Sequence, residues 1–316
     1  MKSKTIYLAR PSGFCAGVQR AVETAGEVLE RFPPPVYALH ELVHNPVVIE
    51  HFTARGMRFV ETLDEIPDGA TVLFSAHGVP PAVRQAAAER QLHLIDATCP
   101  LVGKVHASVR RYAAAGYSIA LIGQPRHVEV IGIAGEAPDR VTVIENAAAA
   151  ESYQPADPAR VAVAMQTTLS REEARAIVAI LRRRFPALQL PASSDICYAT
   201  TNRQQAVREL ARIAATILVL GGSRSSNTHR LAEVAAAAGA TAHLLGGATG
   251  LEGLSLEGLD AIGITAGAST PQIVVDQVLE ALGKRGFDHI EIVETVREDM
   301  HFALPQIRSQ ASGGIQ

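Results

Sequence analysis

The sequence predicts an α/β protein made of three similar units, each with a mostly parallel, four-stranded sheet. Short apolar strands alternate with helical stretches along the chain, which is typical of parallel sheets covered by helices on both faces. Each of the three cysteines, Cys15, Cys99 and Cys197, follows a predicted strand and precedes a predicted helix. The next apolar strand begins 20 or 21 residues after each cysteine, at residues 36, 119 and 217. This regular spacing indicates an internal repeat.

The first unit defines the order of elements that the other two repeat. Residues 6–9 are apolar and β-prone, and a helical pattern over 16–31 follows Cys15. After a strand at 36–39, the polar cluster His44-Asn-Pro46 opens a second helix, since proline suits a first helical turn. The unit continues with strands at 57–61 and 70–74 and a helix at 81–91.

The second and third units follow the same order. A strand at 93–96 ends the first unit and leads to Cys99; the second unit then has a helix at 101–115, strands at 119–122, 141–145 and 160–165, a helix opened by His127-Val-Glu129, and a helix at 171–185. A strand at 188–190 ends the second unit and leads to Cys197; the third unit then has a helix at 202–215, strands at 217–220, 242–245 and 261–265, a helix opened by Ser225-Ser-Asn227, and a helix at 271–283. A last strand at 289–293 takes the place that 93–96 and 188–190 take after the earlier units.

Three equivalent units can pack around a pseudo-threefold axis, which would bring the three thiols together at one point. The first unit covers residues 1–97 with Cys15, the second 98–195 with Cys99, and the third 196–284 with Cys197. Residues 285–316 are expected to form a C-terminal strand and a flexible tail, since 309–316 are polar with Gly and Ser. Parallel sheets bind ligands at the carboxyl ends of their strands, beside helix N-termini, so the three thiols would meet there.

Composition excludes several classes of function. Lys and Arg number 29 against 32 Asp and Glu in 316 residues, aromatic residues make up 4%, and tryptophan is absent. This balance argues against a nucleic-acid partner, which needs basic patches and stacking platforms. No stretch is apolar enough for a membrane span, and the N-terminus lacks a signal-peptide core. We expect a cytoplasmic protein without a membrane partner.

The cysteines favour a metal centre over a disulfide. Three widely spaced cysteines without a Cys-x-x-Cys motif fit no disulfide framework, thioredoxin motif or zinc ribbon. Three unrelated buried thiols are the alternative, and the repeat argues against it. A helix N-terminus is expected to lower a thiol pKa and to favour the thiolate that metals require. With no fourth ligand at zinc spacing, a [4Fe–4S] cluster with one open iron is favoured over zinc.

A second set of polar residues lies at the predicted strand ends and helix starts. It comprises His44, His77, His127, Thr167, Thr168, Ser225, Ser226, Asn227 and Ser269. Each alone could be a helix cap or a structural residue. Together, neutral donors beside helix N-termini form an anion site that suits a diphosphate. The set contains no Lys or Arg and no Walker sequence occurs, so we expect a small anion beside a redox metal and not a nucleotide.

Eight segments between residues 6 and 283 resemble motifs of the 4-hydroxy-3-methylbut-2-enyl diphosphate reductase family. They are Gly13-Phe-Cys-Ala-Gly-Val-Gln-Arg-Ala-Val22, Leu42-Val-His-Asn-Pro46, Ser75-Ala-His-Gly-Val79, Asp96-Ala-Thr-Cys-Pro-Leu-Val102, Gln166-Thr-Thr-Leu-Ser170, Asp195-Ile-Cys-Tyr-Ala-Thr-Thr-Asn-Arg-Gln204, Ser225-Ser-Asn227 and Gly263-Ile-Thr-Ala-Gly-Ala-Ser269. The resemblance is specific because the motifs contain all three cysteines.

The resemblance implies an oxidoreductase of the last step of non-mevalonate isoprenoid biosynthesis. It implies a trefoil around one [4Fe–4S] cluster per chain, held by Cys15, Cys99 and Cys197. The family removes the hydroxyl of (E)-4-hydroxy-3-methylbut-2-enyl diphosphate with two electrons, and the products are isopentenyl and dimethylallyl diphosphate. The implied electron donors are small carriers such as ferredoxin or flavodoxin.

The resemblance also implies roles for individual residues. The implied diphosphate ligands are His44, His77, His127, Ser225, Ser226, Asn227 and Ser269. Thr167 would lie at the substrate hydroxyl, and Glu129 would supply protons. Two positions depart from the family pattern: Val128 replaces a common proline, and Gln124 replaces a frequent histidine. Losing that proline removes a first-turn constraint, so we expect Glu129 to be held less rigidly.

Two other functions remain open at this stage. A non-redox hydro-lyase would use the open iron only as a Lewis acid, and its turnover would need no reductant. An iron–sulfur sensor would bind an allylic diphosphate without turnover. Glu129 beside His127 argues against the sensor, which needs no acid at that place.

Overall fold

The structure is a computed structural model that describes residues 4–307. The predicted flexible stretch 309–316 lies outside these described residues. The strands are β1 (Lys4–Arg10), β2 (Val36–Leu39), β3 (Met57–Val60), β4 (Thr71–Phe74), β5 (His93–Asp96), β6 (Ser118–Ile122), β7 (Val141–Ile144), β8 (Val161–Met165), β9 (Thr216–Leu220), β10 (Thr241–Leu245), β11 (Ala261–Ala266) and β12 (Phe287–Glu294). The α-helices are α1 (Ala16–Arg31), α2 (Pro46–Ala54), α3 (Pro81–Glu89), α4 (Pro100–Ala114), α5 (Val128–Ala134), α6 (Ala147–Ser152), α7 (Arg171–Arg184), α8 (Tyr198–Ile213), α9 (Ser226–Ala237) and α10 (Gln272–Gly283).

The strands form three separate sheets, and every strand pairing is parallel. The strand orders are β3-β2-β4-β5, β7-β6-β8 and β10-β9-β11-β1-β12. The central strands β6 and β9 are buried along their whole length, because helices cover both faces of their sheets. The prediction of three α/β units with parallel sheets is confirmed.

Only one of the three sheets has the predicted four strands. In the second sheet, residues 188–190 do not form a strand, and Gln189 makes an isolated parallel bridge to Ala162. Pro186 and Pro191 flank this short stretch, and proline lacks the N–H that would extend a ladder. The third sheet has five strands because it contains both β1 and β12.

The position of β1 differs from the prediction. We expected residues 6–9 in the first unit, but β1 pairs with β11 and β12 of the third sheet, where Ile6 and Ala9 are fully buried. The segment before each cysteine therefore pairs with the sheet of the preceding unit: β5 with the first sheet, residue 189 with the second and β1 with the third. In the third sheet, β1 takes the place that we assigned to 289–293, and β12 is added at the edge. The unit boundaries at 97/98, 195/196 and 284/285 stay predictions.

Each cysteine occupies the N-cap position of a helix, and the Cys197 side chain also makes a capping hydrogen bond. Cys15, Cys99 and Cys197 are the N-cap residues of α1, α4 and α8. The helix after Cys197 begins at Tyr198 and not at the predicted residue 202, because the Cys197 sulfur accepts the Thr200 N–H and closes the first turn. The three thiols thus have equivalent places in the three units.

The helices of the described chain are short. The longest, α1 and α8, have 16 residues each. Within residues 4–307 no helix is both long and apolar enough to cross a lipid bilayer.

Candidate active site

One cavity at the centre of the molecule collects the predicted site residues. It lies where the strands end and the next helices begin, as the repeat predicts. Its lining contains every one of them: Cys15, His44, His77, Cys99, His127, Glu129, Thr167, Cys197, Ser225, Ser226, Asn227 and Ser269. The structure brings these side chains together, and their individual roles stay predictions.

Two of the three thiols, Cys15 and Cys99, lie close to Gly17 in α1. A Cβ atom built on Gly17 would lie 2.5 Å from the Cys99 sulfur and 3.9 Å from the Cys15 sulfur, so glycine leaves room for both. Burial, and next the neighbouring Cys15 thiol, raise the pKa of Cys99 to about 12 and that of Cys197 to about 11. Lost solvation therefore outweighs the helix N-termini, which we expected to lower these pKa values.

The donor set fits an iron–sulfur cluster. Three thiol sulfurs line one cavity, and soft sulfur donors select zinc, copper(I) or iron–sulfur centres. Over residues 4–307, no three His, Cys, Asp or Glu side chains are positioned to hold a single metal ion. A positively charged metal centre would bind the thiols as thiolates and so overcome their raised pKa values.

Replacing Gly17 by Ala tests whether this space is needed. We expect Gly17→Ala to lose most of its iron, because the new methyl group displaces the Cys99 sulfur. The matched control is Gly26→Ala in the same helix, where the nearest atom to a new Cβ is Arg55 Nη1 at 3.9 Å. This control should keep its iron and gain up to about 1 kcal/mol from helix propensity. Iron and sulfide per chain, with the Tm of each variant, measure both effects; equal iron content in the two variants would contradict the expectation.

Three histidines that line the same cavity form a cluster of their own. The rings of His44 and His77 stack with centroids 4.3 Å apart, and His127 meets them edge-on at 5.3 and 5.7 Å. Burial lowers the pKa of all three; that of His77 falls well below its usual value and that of His127 falls to about 4. Without an anion the rings are therefore neutral near pH 7, and an anion among them would favour their protonation.

The tautomer of His127 follows from its hydrogen bond. Its Nδ1 accepts the Glu129 N–H at 3.1 Å, so a neutral ring carries its proton on Nε2. The same bond caps α5, which compensates for the missing proline at Val128. Nε2–H is then free to donate to a ligand.

Asn227 gives independent evidence for a polar ligand. It is buried, it lines the cavity, and neither its Nδ2 nor its Oδ1 has a hydrogen-bond partner within residues 4–307. A buried amide without partners is costly, so a bound polar group is its natural partner. Beside it, Ser269 Oγ donates to the His44 carbonyl at 3.2 Å and lies 3.4 Å from Ser225 Oγ.

Glu129 is held by Thr167. The carboxylate accepts the Thr167 N–H at 2.6 Å and the Thr167 hydroxyl at 3.0 Å, and the Glu129 residue is 2% exposed. Burial raises the pKa of Glu129 to about 7, against the two hydrogen bonds, which lower it. Glu129 can thus carry or release a proton near neutral pH. We expected a loosely held side chain, and Thr167 supplies the constraint that we had assigned to proline.

The sequence analysis missed Gln166, which organises one wall of the cavity. Gln166 is fully buried, and its Nε2 donates to Thr168 Oγ1 at 3.0 Å and to Ser226 Oγ at 3.4 Å. Its Oε1 accepts the Gln124 N–H at 3.0 Å. This last hydrogen bond comes from the Gln124 backbone N–H, so it does not depend on which side chain stands at position 124, where the chain departs from the family pattern. A polar residue directly after the buried strand β8 was the available signal.

The fold and this cavity define a three-unit α/β protein in which three thiols, three histidines and a buried carboxyl group line one cavity. The sequence model of the family described as LytB protein matches residues 6–283, and the chain belongs to this family. The resemblance on which the sequence analysis relied is confirmed.

Curated relatives carry one name. The chain is 51% identical over 308 residues to the 4-hydroxy-3-methylbut-2-enyl diphosphate reductase of Mycolicibacterium paratuberculosis, covering 97% of this chain and 93% of that protein. It is 48% identical to the protein of the same name from Acidothermus cellulolyticus, covering 96% of this chain and 90% of that protein.

Two solved structures agree with the fold. The E-1-hydroxy-2-methyl-but-2-enyl-4-diphosphate reductase of Plasmodium falciparum matches with a TM-score of 0.91 at 36% identity, over 96% of each chain. A structure of (E)-4-hydroxy-3-methyl-but-2-enyl diphosphate reductase matches with a TM-score of 0.63 at 32% identity. That match covers 89% of this chain and 99% of the other, which its description calls the terminal enzyme of the non-mevalonate pathway.

Proposed function

We propose that the protein is an oxidoreductase that converts (E)-4-hydroxy-3-methylbut-2-enyl diphosphate to isopentenyl diphosphate and dimethylallyl diphosphate. The proposal is supported by relatives that carry the name of this reductase and match nearly the whole chain. The observation that carries it is one cavity with three thiols, three histidines and the Glu129–Thr167 pair. These groups match a reaction that needs electrons, an anion site and a proton donor.

The cofactor in this proposal is one [4Fe–4S] cluster per chain, held by Cys15, Cys99 and Cys197. When bound, such a cluster supplies single electrons and an iron without a cysteine ligand that acts as a Lewis acid. The chain supplies the rest: it excludes water from the cavity, orients the substrate and delivers protons.

The diphosphate in this proposal binds opposite the thiols. His127 donates through Nε2, and His44 and His77 contribute their stacked rings. The other proposed donors are Ser225, Ser226, Asn227 and Ser269. The N-terminus of α9, at Ser226, adds the partial positive charge of its free N–H groups.

Glu129 and Thr167 are proposed to act as a proton relay. In the protonated state, the carboxyl group donates to Thr167 Oγ1, and the threonine hydroxyl passes a proton to the departing substrate hydroxyl. That hydroxyl leaves as water, which is a much better leaving group than hydroxide. The raised pKa of Glu129 suits a group that must be reprotonated in each turnover near pH 7.

Removing single ligands of the diphosphate should weaken its binding. We expect His44→Ala and Asn227→Ala each to raise the Kd for the substrate by about tenfold or more, which is about 1.4 kcal/mol per lost charge-assisted bond. The control is Asn146→Ala, which removes an N-cap of α6 away from the cavity. It should change stability but leave substrate affinity unchanged. Calorimetry on the cluster-loaded protein measures Kd, and unchanged affinity in both cavity variants would place the anion elsewhere.

The need for a reductant tests the proposed function against its alternatives. Anaerobic, cluster-loaded protein should form both products only when a reductant such as dithionite with methyl viologen is present. A hydro-lyase would turn over without the reductant, and a sensor would bind the substrate but not turn it over.

In the cell we propose a cytoplasmic enzyme that receives its electrons from a small carrier such as ferredoxin or flavodoxin.

A further inference from the structure

A second pocket lies on the outer side of Cys99. We call it the Cys99 pocket. Its lining includes the Cys99 thiol and five charged side chains: Arg20, Arg84, Arg110, Asp96 and Glu136. Cys99 lines both this pocket and the central cavity, whereas Cys15 and Cys197 line the central cavity but not the Cys99 pocket. Cys99 therefore lies between this pocket and the proposed cluster site.

The Cys99 pocket presents more positive than negative charge. Asp96 is paired with Arg84 at 2.7 Å, and Glu136 is paired with Arg110 at 2.8 Å. The Glu136 side chain is only 3% exposed, while the Arg110 side chain is 56% exposed, so the cation of this pair faces the solvent. The Glu136 carboxylate thus lies behind the Arg110 guanidinium, whereas the Arg84 and Asp96 side chains are exposed to a similar extent, 38% and 36%.

Arg20 adds a third guanidinium beside the sulfur. Its Nη1 donates to the carbonyl oxygen of Thr98, next to Cys99, and its Nε donates to the carbonyl oxygen of Ala303. The Cys99 pocket therefore contains three arginines and two carboxylates.

We propose that the Cys99 pocket is the docking surface for an acidic one-electron carrier protein; the proposal rests on the function proposed above. The reaction consumes two electrons and two protons per substrate and releases one water. Each reduced carrier gives up one electron at Cys99 and leaves oxidised, so two carriers dock in turn for each turnover. A positive rim attracts a negatively charged carrier and orients its redox centre toward the thiol.

The test compares two double variants that each lose two positive charges: one variant inside the Cys99 pocket and one elsewhere on the surface. Arg84→Gln with Arg110→Gln removes the two exposed cations of the Cys99 pocket. The control is Arg183→Gln with Arg212→Gln, which removes two exposed, ion-paired arginines from other surfaces. The probe is a flavodoxin of net negative charge. Its Kd for each cluster-loaded protein is measured by calorimetry at low and high salt, and cluster reduction by reduced flavodoxin is followed by stopped-flow absorbance.

The expected result is specific to the pocket. At low salt, the Arg84/Arg110 variant should bind flavodoxin about tenfold more weakly and be reduced correspondingly more slowly, and the difference should shrink at high salt. The Arg183/Arg212 variant should behave like the unchanged protein. Turnover driven by dithionite and methyl viologen should be equal in all three proteins, since these small reductants need no docking surface.

Two results would overturn the proposal. Equal flavodoxin affinity in the Arg84/Arg110 variant and the unchanged protein would exclude this pocket, while viologen-driven turnover would leave the proposed function intact. Equal losses in both double variants would show only general charge attraction. Absence of turnover with every reductant would refute the proposed function, and the affinity measurements would still decide whether this surface binds an acidic carrier.

Discussion

Replacing Glu129 by Gln is expected to lower reductant-driven turnover by about 10²–10⁴-fold, the usual contribution of a positioned general acid. Gln keeps the shape of the side chain and can still accept the Thr167 N–H, but it has no carboxyl proton to give. Cluster absorbance and substrate Kd should stay near those of the unchanged protein. All three quantities are measured on one preparation.

Thr167 provides the matched pair of variants for this relay. Thr167→Ser keeps the hydroxyl that contacts Glu129 at 3.0 Å, whereas Thr167→Val removes it at nearly the same volume. The Ser variant should retain most of the turnover and the Val variant should lose it. If Glu129 only complements the N-terminus of α5, an effect of about 0.3–1 kcal/mol on stability, then Glu129→Gln would leave turnover nearly normal. Near-normal turnover with a full cluster would remove Glu129 from the mechanism.

The pH dependence of the chemical step should report the same group. A carboxyl with a pKa of about 7 is protonated below neutral pH and loses its proton above it, so a rate that needs the acid falls as pH rises through 7. Substrate binding could shift this value, because the diphosphate adds negative charge nearby and raises the pKa further. Single-turnover rates at saturating substrate should show this alkaline limb, and Glu129→Gln should lack it.

Replacing any one of the three cysteines by Ser is expected to remove most of the iron. A serine hydroxyl is a harder and much less acidic donor than a thiol, and two remaining thiols leave another iron without its sulfur ligand. We expect similar losses for Cys15→Ser, Cys99→Ser and Cys197→Ser, because the three thiols have equivalent places in the repeat. Absorption and Mössbauer spectra of anaerobically purified protein, with iron and sulfide counted per chain, measure the loss. Stoichiometric zinc without sulfide in the unchanged protein would refute the cluster.

Much of the fold was predictable because the same order of strands and helices occurs three times along the chain. The spacing from each cysteine to the next strand located β2, β6 and β9, and α1 has the predicted bounds. The assignment of strands to sheets was less accessible. Local periodicity shows that residues 4–10 form a strand, but it cannot show which of three similar sheets will bury Ile6. That choice depends on contacts with β11, more than 250 residues later in the chain.

The candidate site was predictable where residue type and position coincide. Helix starts and strand ends led to the cysteines and histidines, since those ends meet at one edge of a parallel sheet. The electrostatics were not predictable in the same way. The helix N-termini suggested lowered thiol pKa values, but burial raises that of Cys99 to about 12, and burial depends on packing from all three units. Gln166 was missed for a similar reason, because its importance comes from the partners that tertiary structure brings to it.

The place of β1 between β11 and β12 has a consequence for biosynthesis. β1 leaves the ribosome long before β11 and cannot pair with it until Ala261–Ala266 has been synthesised. Cys15 depends on the same event, because the N–H groups of Gly13 and Cys15 donate to the carbonyl oxygens of Ala266 and Ala268. A nascent chain that ends before β11 can therefore contain two finished sheets and still lack a fixed first thiol. All three thiols can therefore be fixed only after β11 and the residues directly after it have been synthesised, and until that moment β1 is an unpaired, largely apolar strand that chaperones would have reason to cover.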